Sequence, residues 1–399
     1  MLSRYLKLVW CSFLLSMQLS LTAAQGQTPP LHVYLTWQGE DTSHQIVVNF
    51  HTQGKKGGAS KVYYDEASKN GDLKQYTFKA EGGFKEITGL VDRHFHEVQL
   101  NNLSPGKEYY FIVGDDVNGF SEERKFKTLP LDGPLRIAQG GDIGISESSI
   151  KMSRQVASYS PDVIVLGGDL VYAVGTVANI GKWDEWFSML EKNLITPDGR
   201  TIPLIVAVGN HDVSVGEFSP LFSYFFPQGG ATYFDRKLGK NTVLFVLDSG
   251  HIASYHGAQL TWLQQALKKH SDAKNKIAVY HVPLYPSFRP YILSLPARRA
   301  WLGLFDAFHL NVAFEHHDHA FKRTHPLRDG KKVSEAEGTI YLGDGAWGKP
   351  PRRVHTRAWY LKKASSTNHF WLVDLNDSSA EYKAISIDGK VIDHFSLNF

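Results

Sequence analysis

Five short motifs in the sequence carry side chains that bind metal ions. In chain order, their donor residues are Asp142, Asp169, Tyr172, Asn210, His281, His317 and His319. Carboxylate, phenol, amide and imidazole groups are the oxygen and nitrogen donors that a pair of closely spaced metal ions requires. Two-metal sites of this kind hydrolyse phosphate esters. The motifs therefore predict a dinuclear phosphoesterase.

The position of these motifs supports a shared site. Asp142, Asp169, Asn210, His281 and His317 each come shortly after an apolar run that is typical of a buried strand. In open α/β sheets, ligands bind beyond the carboxyl ends of the strands. Any one of these polar residues could instead be a turn former or a helix cap. Because five such residues each follow a predicted strand, we predict that they meet at one edge of the sheet.

The elements that must position these motifs lie between residues 134 and 399. Apolar runs predict strands at 135–140, 163–166, 203–208, 242–247, 277–280, 311–314 and 339–342. Helical spacing predicts helices at 146–158, 258–270 and 297–308. Strands that are apolar on both faces imply helices covering the sheet, so we expect a layered α/β catalytic domain.

The region 29–130 has a different pattern, with short alternating runs separated by Gly, Asn and Asp. It predicts strands at 31–36, 45–51, 61–65, 74–78, 96–100, 109–113 and 125–128. The turn Leu103-Ser104-Pro105-Gly106, followed by Tyr109, resembles the tyrosine corner of fibronectin type III domains. We expect a β-sandwich that acts in packing or recognition, because no ionisable side chains cluster in its sequence. The whole is then a multidomain α+β and α/β protein.

The first 24 residues have the pattern of a signal peptide. Arg4 and Lys7 precede an apolar run at 8–15, and Thr22-Ala23-Ala24 offers small residues for cleavage. A membrane anchor is the alternative, but the run is shorter than the roughly 20 residues a span needs. The only cysteine, Cys11, lies inside this segment, so the processed chain forms no disulfide. We expect a secreted or periplasmic protein.

The composition and net charge limit the kinds of partner that we expect the protein to bind. Removing the signal peptide takes away two of 43 basic side chains and none of 40 acidic ones, so the formal charge of +3 falls by two. A nearly neutral chain has no electrostatic basis for bulk nucleic-acid or membrane-surface binding, and a phosphorylated small molecule is the expected partner. No later segment is apolar enough for a stable membrane span, and the sequence does not indicate an oligomeric state.

Taken together, the motifs resemble those of purple acid phosphatases, which belong to the calcineurin-like metallophosphoesterase superfamily. The resemblance covers nearly all of the processed chain, since relatives also carry a fibronectin-like domain ahead of the catalytic one. It implies a ferric ion and a divalent ion, which is zinc, manganese or iron. It assigns the ferric ion to Asp142, Tyr172 and His319, the divalent ion to Asn210, His281 and His317, and the bridging position to Asp169.

The donor chemistry agrees with that division. Phenolate and carboxylate are hard donors for a trivalent ion, whereas imidazoles and an amide suit a divalent one. Elsewhere in the superfamily a His commonly stands where this chain has Gly144, and Tyr172 supplies a replacement donor. The last motif departs from the family pattern, because Glu315 and His316 precede His317 where a Gly is usual. The family pattern still favours His317 and His319 as ligands.

The expected reaction is hydrolysis of phosphate monoesters by a hydroxide bound to the dinuclear centre, as in a secreted acid phosphatase. The alternative is a phosphodiesterase or nucleotide-directed hydrolase that uses the same metals, since loops such as 283–296 and 345–357 select the leaving group. A binding module without activity is a third hypothesis, but it predicts missing ligands and the sequence lacks none of them.

Further residues are expected to act on the substrate. His211 and Asp212 follow a predicted ligand, and we expect them to have catalytic roles, with His211 also contacting phosphate. The general acid is open between His211, water and His325. Arg289 and Arg323 are candidates to clamp phosphate, because a guanidinium binds phosphate through two hydrogen bonds. His325 is a further candidate substrate contact.

Overall fold

The computed structural model describes residues 29–213, 220–343, 345–355 and 357–399. The predicted signal peptide at 1–24 lies outside the described residues. Among the helices described, none has both the length and the apolar character needed to cross a bilayer.

The N-terminal domain is a sandwich of two antiparallel sheets. Its strands are β1 Leu31–Thr36, β2 Ile46–Gln53, β3 Ser60–Asp65, β4 Phe78–Gly82, β5 Phe84–Lys85, β6 Arg93–Leu100, β7 Glu108–Asp115, β8 Gly119–Phe120 and β9 Arg124–Lys127. One sheet has the order β1-β2-β6-β5 and the other β4-β3-β7-β8, with β9 paired to β7. The hydroxyl of Tyr109 accepts a hydrogen bond from the Ser104 backbone at 2.9 Å. This contact confirms the predicted tyrosine corner.

The prediction of a strand at 74–78 is wrong. The backbone N–H of Thr77 donates to the carboxylate of Asp65 at 3.0 Å, and the hydroxyl of Tyr76 donates to Glu123. These side-chain contacts hold the segment in a turn, and β4 begins only at Phe78.

The second domain has four layers, with two mixed sheets packed face to face and helices on both outer faces. Its first half contains β10 Leu135–Gly140, α1 Glu147–Ser158, β11 Val163–Leu166, α2 Ile180–Asn193, β12 Leu204–Val206, α3 Pro220–Phe225, β13 Phe234–Leu238, β14 Thr242–Val246 and α4 Ala258–Lys269. Its second half contains β15 Asn275–Val279, α5 Leu295–Ala307, β16 Val312–Phe314, β17 Phe321–Thr324, β18 Leu327–Arg328, β19 Lys331–Lys332, β20 Ile340–Gly343, β21 Leu361–Ser365, β22 His369–Leu375, β23 Ser379–Ser386 and β24 Val391–Asn398. Short 3₁₀ turns occupy Val177–Asn179 and Tyr291–Ser294.

Two sheet orders define the layers. The first sheet is β12-β11-β10-β22-β23-β24, and the second is β13-β14-β15-β16-β20-β17-β21. Parallel pairing joins β10, β11 and β12 in one sheet and β14, β15, β16 and β20 in the other. The antiparallel strands β22, β23 and β24 complete the first sheet and were not predicted from the sequence.

Strand β11 shows how the layers are held. Val163 and Val165 belong to the core between the two sheets, whereas Ile164 and Leu166 pack with the outer helices α1 and α2. Burying a Val, Leu or Ile side chain stabilises the fold by about 1.5–3 kcal/mol. Helices α4 and α5 cover the outer face of the second sheet in the same way. The layered α/β prediction is confirmed.

The two domains contact each other through α2. Arg93 of β6 donates two hydrogen bonds to Asp184, both at 2.9 Å, and the imidazole of His32 lies 2.8 Å from the same carboxylate. Beside this network the ring of Tyr34 stacks on Phe187 with 4.8 Å between ring centroids. The N-terminal sandwich is therefore packed against the layer of helices that covers the first sheet.

Candidate metal centre

Donor atoms from both sheets meet at the carboxyl ends of the parallel strands. Two sets of potential ligands lie there, with all donor atoms of a set within 4.8 Å of one another: Asp142, Asp169 and His319 in one, and Asp169, His281 and His317 in the other. Asp169 belongs to both sets. A carboxylate shared between two sets is what a bridging ligand requires.

The first set includes the predicted tyrosine. The hydroxyl of Tyr172 donates to Asp142 Oδ1 at 2.9 Å and lies 3.0 Å from Nε2 of His319. His319 Nε2 is in turn 2.9 Å from the same carboxylate oxygen of Asp142. Three donor atoms of three different motifs thus form a triangle with edges near 3 Å.

The second set is built around His281, which follows β15. Its Nε2 lies 3.1 Å from Oδ1 of Asn210, 3.1 Å from Nδ1 of His317 and 3.3 Å from Oδ2 of Asp169. Its other nitrogen, Nδ1, lies 2.9 Å from the carbonyl oxygen of Gly167, so Nε2 is directed at the other donors.

The side chains present fit a pair of cations. Ligands about 2.1 Å from one ion and at right angles to each other are about 3 Å apart, which is the spacing seen in both sets. Oδ2 of Asp169 is buried and makes no hydrogen bond of normal geometry with the described residues. An unpaired buried acceptor costs about 1–3 kcal/mol, and a bound cation would remove that cost.

The backbone at the site is strained. Five of the seven predicted ligands have left-handed backbone angles, with φ of 55° at Asp142, 53° at Asp169, 62° at Tyr172, 74° at His317 and 52° at His319. Such a conformation costs a non-glycine residue about 1–3 kcal/mol and persists only where the surrounding structure imposes it. Its clustering at these positions is typical of a functional site.

The packing of His316 accounts for the glycine at position 167, which precedes the Asp169 motif. Its Nδ1 lies 2.8 Å from the carbonyl oxygen of Tyr280, and its Nε2 contacts Gln139. A Cβ on Gly167 would lie 1.9–2.1 Å from this imidazole, so only glycine fits there. His316 therefore packs beneath the site, whereas the donor atoms of His317 and His319 enter it.

Burial and charge act in opposite directions on the central pair. Burial lowers the pKa of His281, but the carboxylates of Asp169 and Asp142 overcome this effect and raise that pKa to about 9. Burial likewise raises the pKa of Asp169, yet the charge of His281 holds it below its usual value. Burial, reinforced by the Asp142 charge, raises the pKa of the Tyr172 phenol. A strong Lewis acid is needed to ionise such a phenol.

The catalytic role predicted for Asp212 is not supported by its position. Its two carboxylate oxygens accept hydrogen bonds from the backbone N–H groups of Asp169 at 2.7 Å, Leu170 at 2.8 Å and Gly209 at 2.9 Å. The side chain is fully buried and makes no hydrogen bond to the imidazole of His211 among the contacts described. Asp212 therefore ties together the loops that carry the Asp169 and Asn210 motifs.

His211 and Arg289, two predicted substrate contacts, lie beside the predicted metal ligands. The His211 ring lies 4.5 Å from that of Tyr172, and its backbone N–H donates to Oδ1 of Asp169 at 2.7 Å. Burial lowers the pKa of His211. Nη1 of Arg289 donates at 2.6 Å to both the His317 carbonyl and an Asp318 carboxylate oxygen. Both side chains are partly exposed beside predicted ligands.

The expectations for Arg323 and His325 are wrong. The Arg323 guanidinium is buried, donates to Asp393 at 2.6 and 3.0 Å, and lies over the ring of Phe395, so it has no free face for a phosphate. His325 lies beyond the end of β17 that is farther from His319. Burial lowers the pKa of its imidazole, and the charges of Lys332, Lys362 and Arg323 lower it further.

Three residues beside the site were not singled out in the sequence. The ammonium of Lys349 lies 3.7 Å from the centre of the Tyr172 ring, and the guanidinium of Arg352 lies 5.2 Å from the centre of the Phe288 ring. The imidazole of His251 lies 5.5 Å from that of His281. The available signal for the first two was the short basic and proline-rich run 349–353 inside the loop 345–357.

Comparison with known proteins identifies relatives of both domains. Residues 30–128 match the family model for the purple acid phosphatase N-terminal domain, and residues 135–321 match the model for calcineurin-like phosphoesterases. Purple acid phosphatase 23 of Arabidopsis thaliana is 25% identical over 337 residues, which are 72% of this chain and 71% of that protein. Purple acid phosphatase 15 of the same plant is 26% identical over 304 residues, covering 66% and 55%.

A solved structure shows the same fold over almost the whole chain. The purple acid phosphatase PPD1 from yellow lupin (Lupinus luteus) seeds matches with a TM-score of 0.78 at 18% identity, covering 93% of this chain and 74% of that one. Both domains thus match family models, over residues 30–128 and 135–321. The chain belongs to the purple acid phosphatases of the calcineurin-like metallophosphoesterase superfamily, a family of phosphoester hydrolases.

Proposed function

We propose that this protein is an exported acid phosphatase that hydrolyses phosphate monoesters at a dinuclear centre of Fe(III) and a divalent zinc, manganese or iron ion. The observation that carries the proposal is the shared position of Asp169 in two adjoining sets of metal-binding side chains. Export rests on the sequence of residues 1–24. The domain bounds 29–130 and 134–399 are part of the proposal.

The donors support an unequal pair of ions. Tyr172 and Asp142 bring oxygen donors to one side of Asp169, whereas His281 and His317 bring imidazole nitrogens to the other. Hard oxygen donors favour a trivalent ion, and imidazoles favour a divalent one. When bound, such a pair polarises phosphate oxygens and lowers the pKa of water at the site.

The protein's own residues then bind and orient the ester. His211 presents an imidazole beside Tyr172, where it can donate a hydrogen bond to a phosphate oxygen or hold the proton that the leaving group needs. Arg289 is fixed through Nη1, and its Nε and Nη2 have no described partner, so two donors of its planar fork remain for phosphate. With His325 remote, His211 and water remain as the candidate general acids.

Paired substrates test the proposal. We expect the purified protein to hydrolyse p-nitrophenyl phosphate at acid pH with a kcat/KM far above that for bis-p-nitrophenyl phosphate. Asp169→Asn should abolish this activity, whereas Asp272→Asn, which changes an exposed aspartate in the same way, should not. Preference for the diester would replace this function with that of a phosphodiesterase. Elemental analysis should find iron and a second metal in stoichiometric amounts.

A further inference from the structure

We propose that Lys349 and Arg352 form a site for a second anionic group of the substrate, a carboxylate or phosphate beyond the scissile phosphate. The proposal rests on the phosphoesterase function above and narrows its substrate class. It assigns to the loop 348–352 the recognition of the leaving group.

Lys349 is held at the Tyr172 side of the centre. Its ammonium lies over the Tyr172 ring at 3.7 Å from the centroid, and a Cβ on Gly144 would lie 3.2 Å from its side-chain Cδ. The absence of a side chain at Gly144 therefore leaves the space that the Lys349 stem occupies. Among the described residues, no carboxylate forms an ion pair with its ammonium.

Arg352 is held at the His317 side. Its Nη1 lies 3.5 Å from the His317 carbonyl oxygen, the same atom that Arg289 Nη1 contacts at 2.6 Å, so the two guanidinium groups are neighbours. Arg289 is neutralised by Asp318 at 2.6 Å, whereas Arg352 has no carboxylate partner in the part of the chain that the structure describes. The pair therefore has an excess of positive charge.

The loop that carries Lys349 and Arg352 is anchored to the predicted metal ligands. The backbone N–H of Lys349 donates to the Asp142 carbonyl at 3.2 Å, and that of Arg352 donates to the His319 carbonyl at 2.8 Å. Pro350 and Pro351 stand between them and restrict the backbone. The backbones of both basic residues are thus fixed relative to the ligand motifs rather than carried on a free surface loop.

Lys349 and Arg352 have no carboxylate partner among the described residues, and their backbones are anchored beside the proposed phosphoesterase centre. This arrangement favours a substrate with more negative charge than one phosphate ester carries. Under the proposed function, the metal centre, His211 and Arg289 bind the scissile phosphate. Lys349 and Arg352 flank that position and remain available for a further anionic group on the leaving group. A hydrogen bond to a charged partner changes affinity by about tenfold or more.

Matched substrates and ligands test this site. We expect kcat/KM for 4-carboxyphenyl phosphate to exceed that for phenyl phosphate by about tenfold, with the preference falling as ionic strength rises. A parallel comparison of 1,4-butanediol bisphosphate with butyl phosphate shows whether the second group is better as phosphate or as carboxylate. Calorimetry of 4-carboxyphenylphosphonate against phenylphosphonate measures the same preference without turnover.

Lys349→Met and Arg352→Met should each reduce the preference in both turnover and binding. Lys331→Met, an equal charge change on the exposed strand β19, should leave it intact. Equal treatment of the paired compounds by the wild-type protein, or a preference that survives both variants, overturns this site while leaving the phosphatase function standing. If no ester is hydrolysed, the proposed function fails, and the phosphonate pair alone still decides whether the anion site exists.

Discussion

Replacing Asp212 by asparagine separates a structural role from a catalytic one. The carboxylate of Asp212 accepts three backbone N–H groups, those of Asp169 and Gly209 on Oδ2 and that of Leu170 on Oδ1. An asparagine has one carbonyl oxygen, which can keep the two bonds on one side. Its NH₂ group then faces the third N–H and repels it. The side chain is fully buried, so water cannot replace the lost acceptor.

The size of the effect follows from that count. Burial and the Asp169 charge raise the pKa of Asp212 to about 7, so the side chain is charged above that pH. A hydrogen bond to a charged acceptor contributes about 1.5–3 kcal/mol, so we expect Asp212→Asn to lower the free energy of unfolding by about 2 kcal/mol at pH values above 7. Because Asp212 holds the backbone of Asp169, metal affinity should fall by about 10- to 100-fold, as for other residues that orient metal ligands. Guanidinium unfolding and competition with a chelator measure the two quantities, with Asp272→Asn as the exposed control.

The opposite pattern would refute this reasoning. If Asp212→Asn kept its stability and metal affinity but moved one limb of the pH–rate profile, then Asp212 would act in proton transfer, as the sequence suggested. A loss of kcat in a fully metal-loaded variant with an unchanged profile would place the defect in the geometry of the ligands.

Three further predictions follow from other parts of the structure. Tyr172→Phe should abolish a visible tyrosinate-to-iron absorption band in iron-loaded protein, and persistence of the band would remove Tyr172 from the ligand set. Gly167→Ala should lower the unfolding free energy by about 3 kcal/mol or more, because its Cβ would meet the fixed imidazole of His316; unchanged thermal unfolding would contradict this. Burial lowers the pKa of His32, but Asp184 and a second carboxylate outweigh it and raise that pKa above 6.5. This stabilisation is complete below the unfolded-state pKa and is lost as pH rises through the folded-state pKa, so His32→Gln should destabilise more at pH 5.5 than at pH 9 in chemical unfolding.

The parallel strands and the ligand motifs were predictable because both are local in the sequence. Each strand is a short apolar run, and each ligand follows within a few residues of its end, as Asp142 follows β10 and Asp169 follows β11. The positions therefore followed from one rule about the carboxyl ends of strands. The strands β22 to β24 were missed, since β22 is fixed by pairing with β10, more than 200 residues earlier in the chain.

The substrate residues were harder to predict for the same reason. Arg323 has the right chemistry for a phosphate contact, but its guanidinium is paired with Asp393, which lies 70 residues further along the chain. Lys349 is a single lysine in a loop, and only the folded chain places it over Tyr172. Local spacing predicted the candidate metal donors. Whether an arginine or lysine is free to bind substrate depends instead on which distant side chain pairs with it.

Because the two sheets pack together at the candidate metal centre, their docking affects the order of events during refolding. The Asp142 carboxylate accepts the backbone N–H of His317 at 2.9 Å, although 175 residues separate them. Strands β10 to β12 bring some of the donors and β15 and β16 bring the others, so neither sheet alone holds the complete set. Cation uptake during refolding should therefore be a late step, and its kinetics would report when the halves of the domain have docked rather than when either has collapsed.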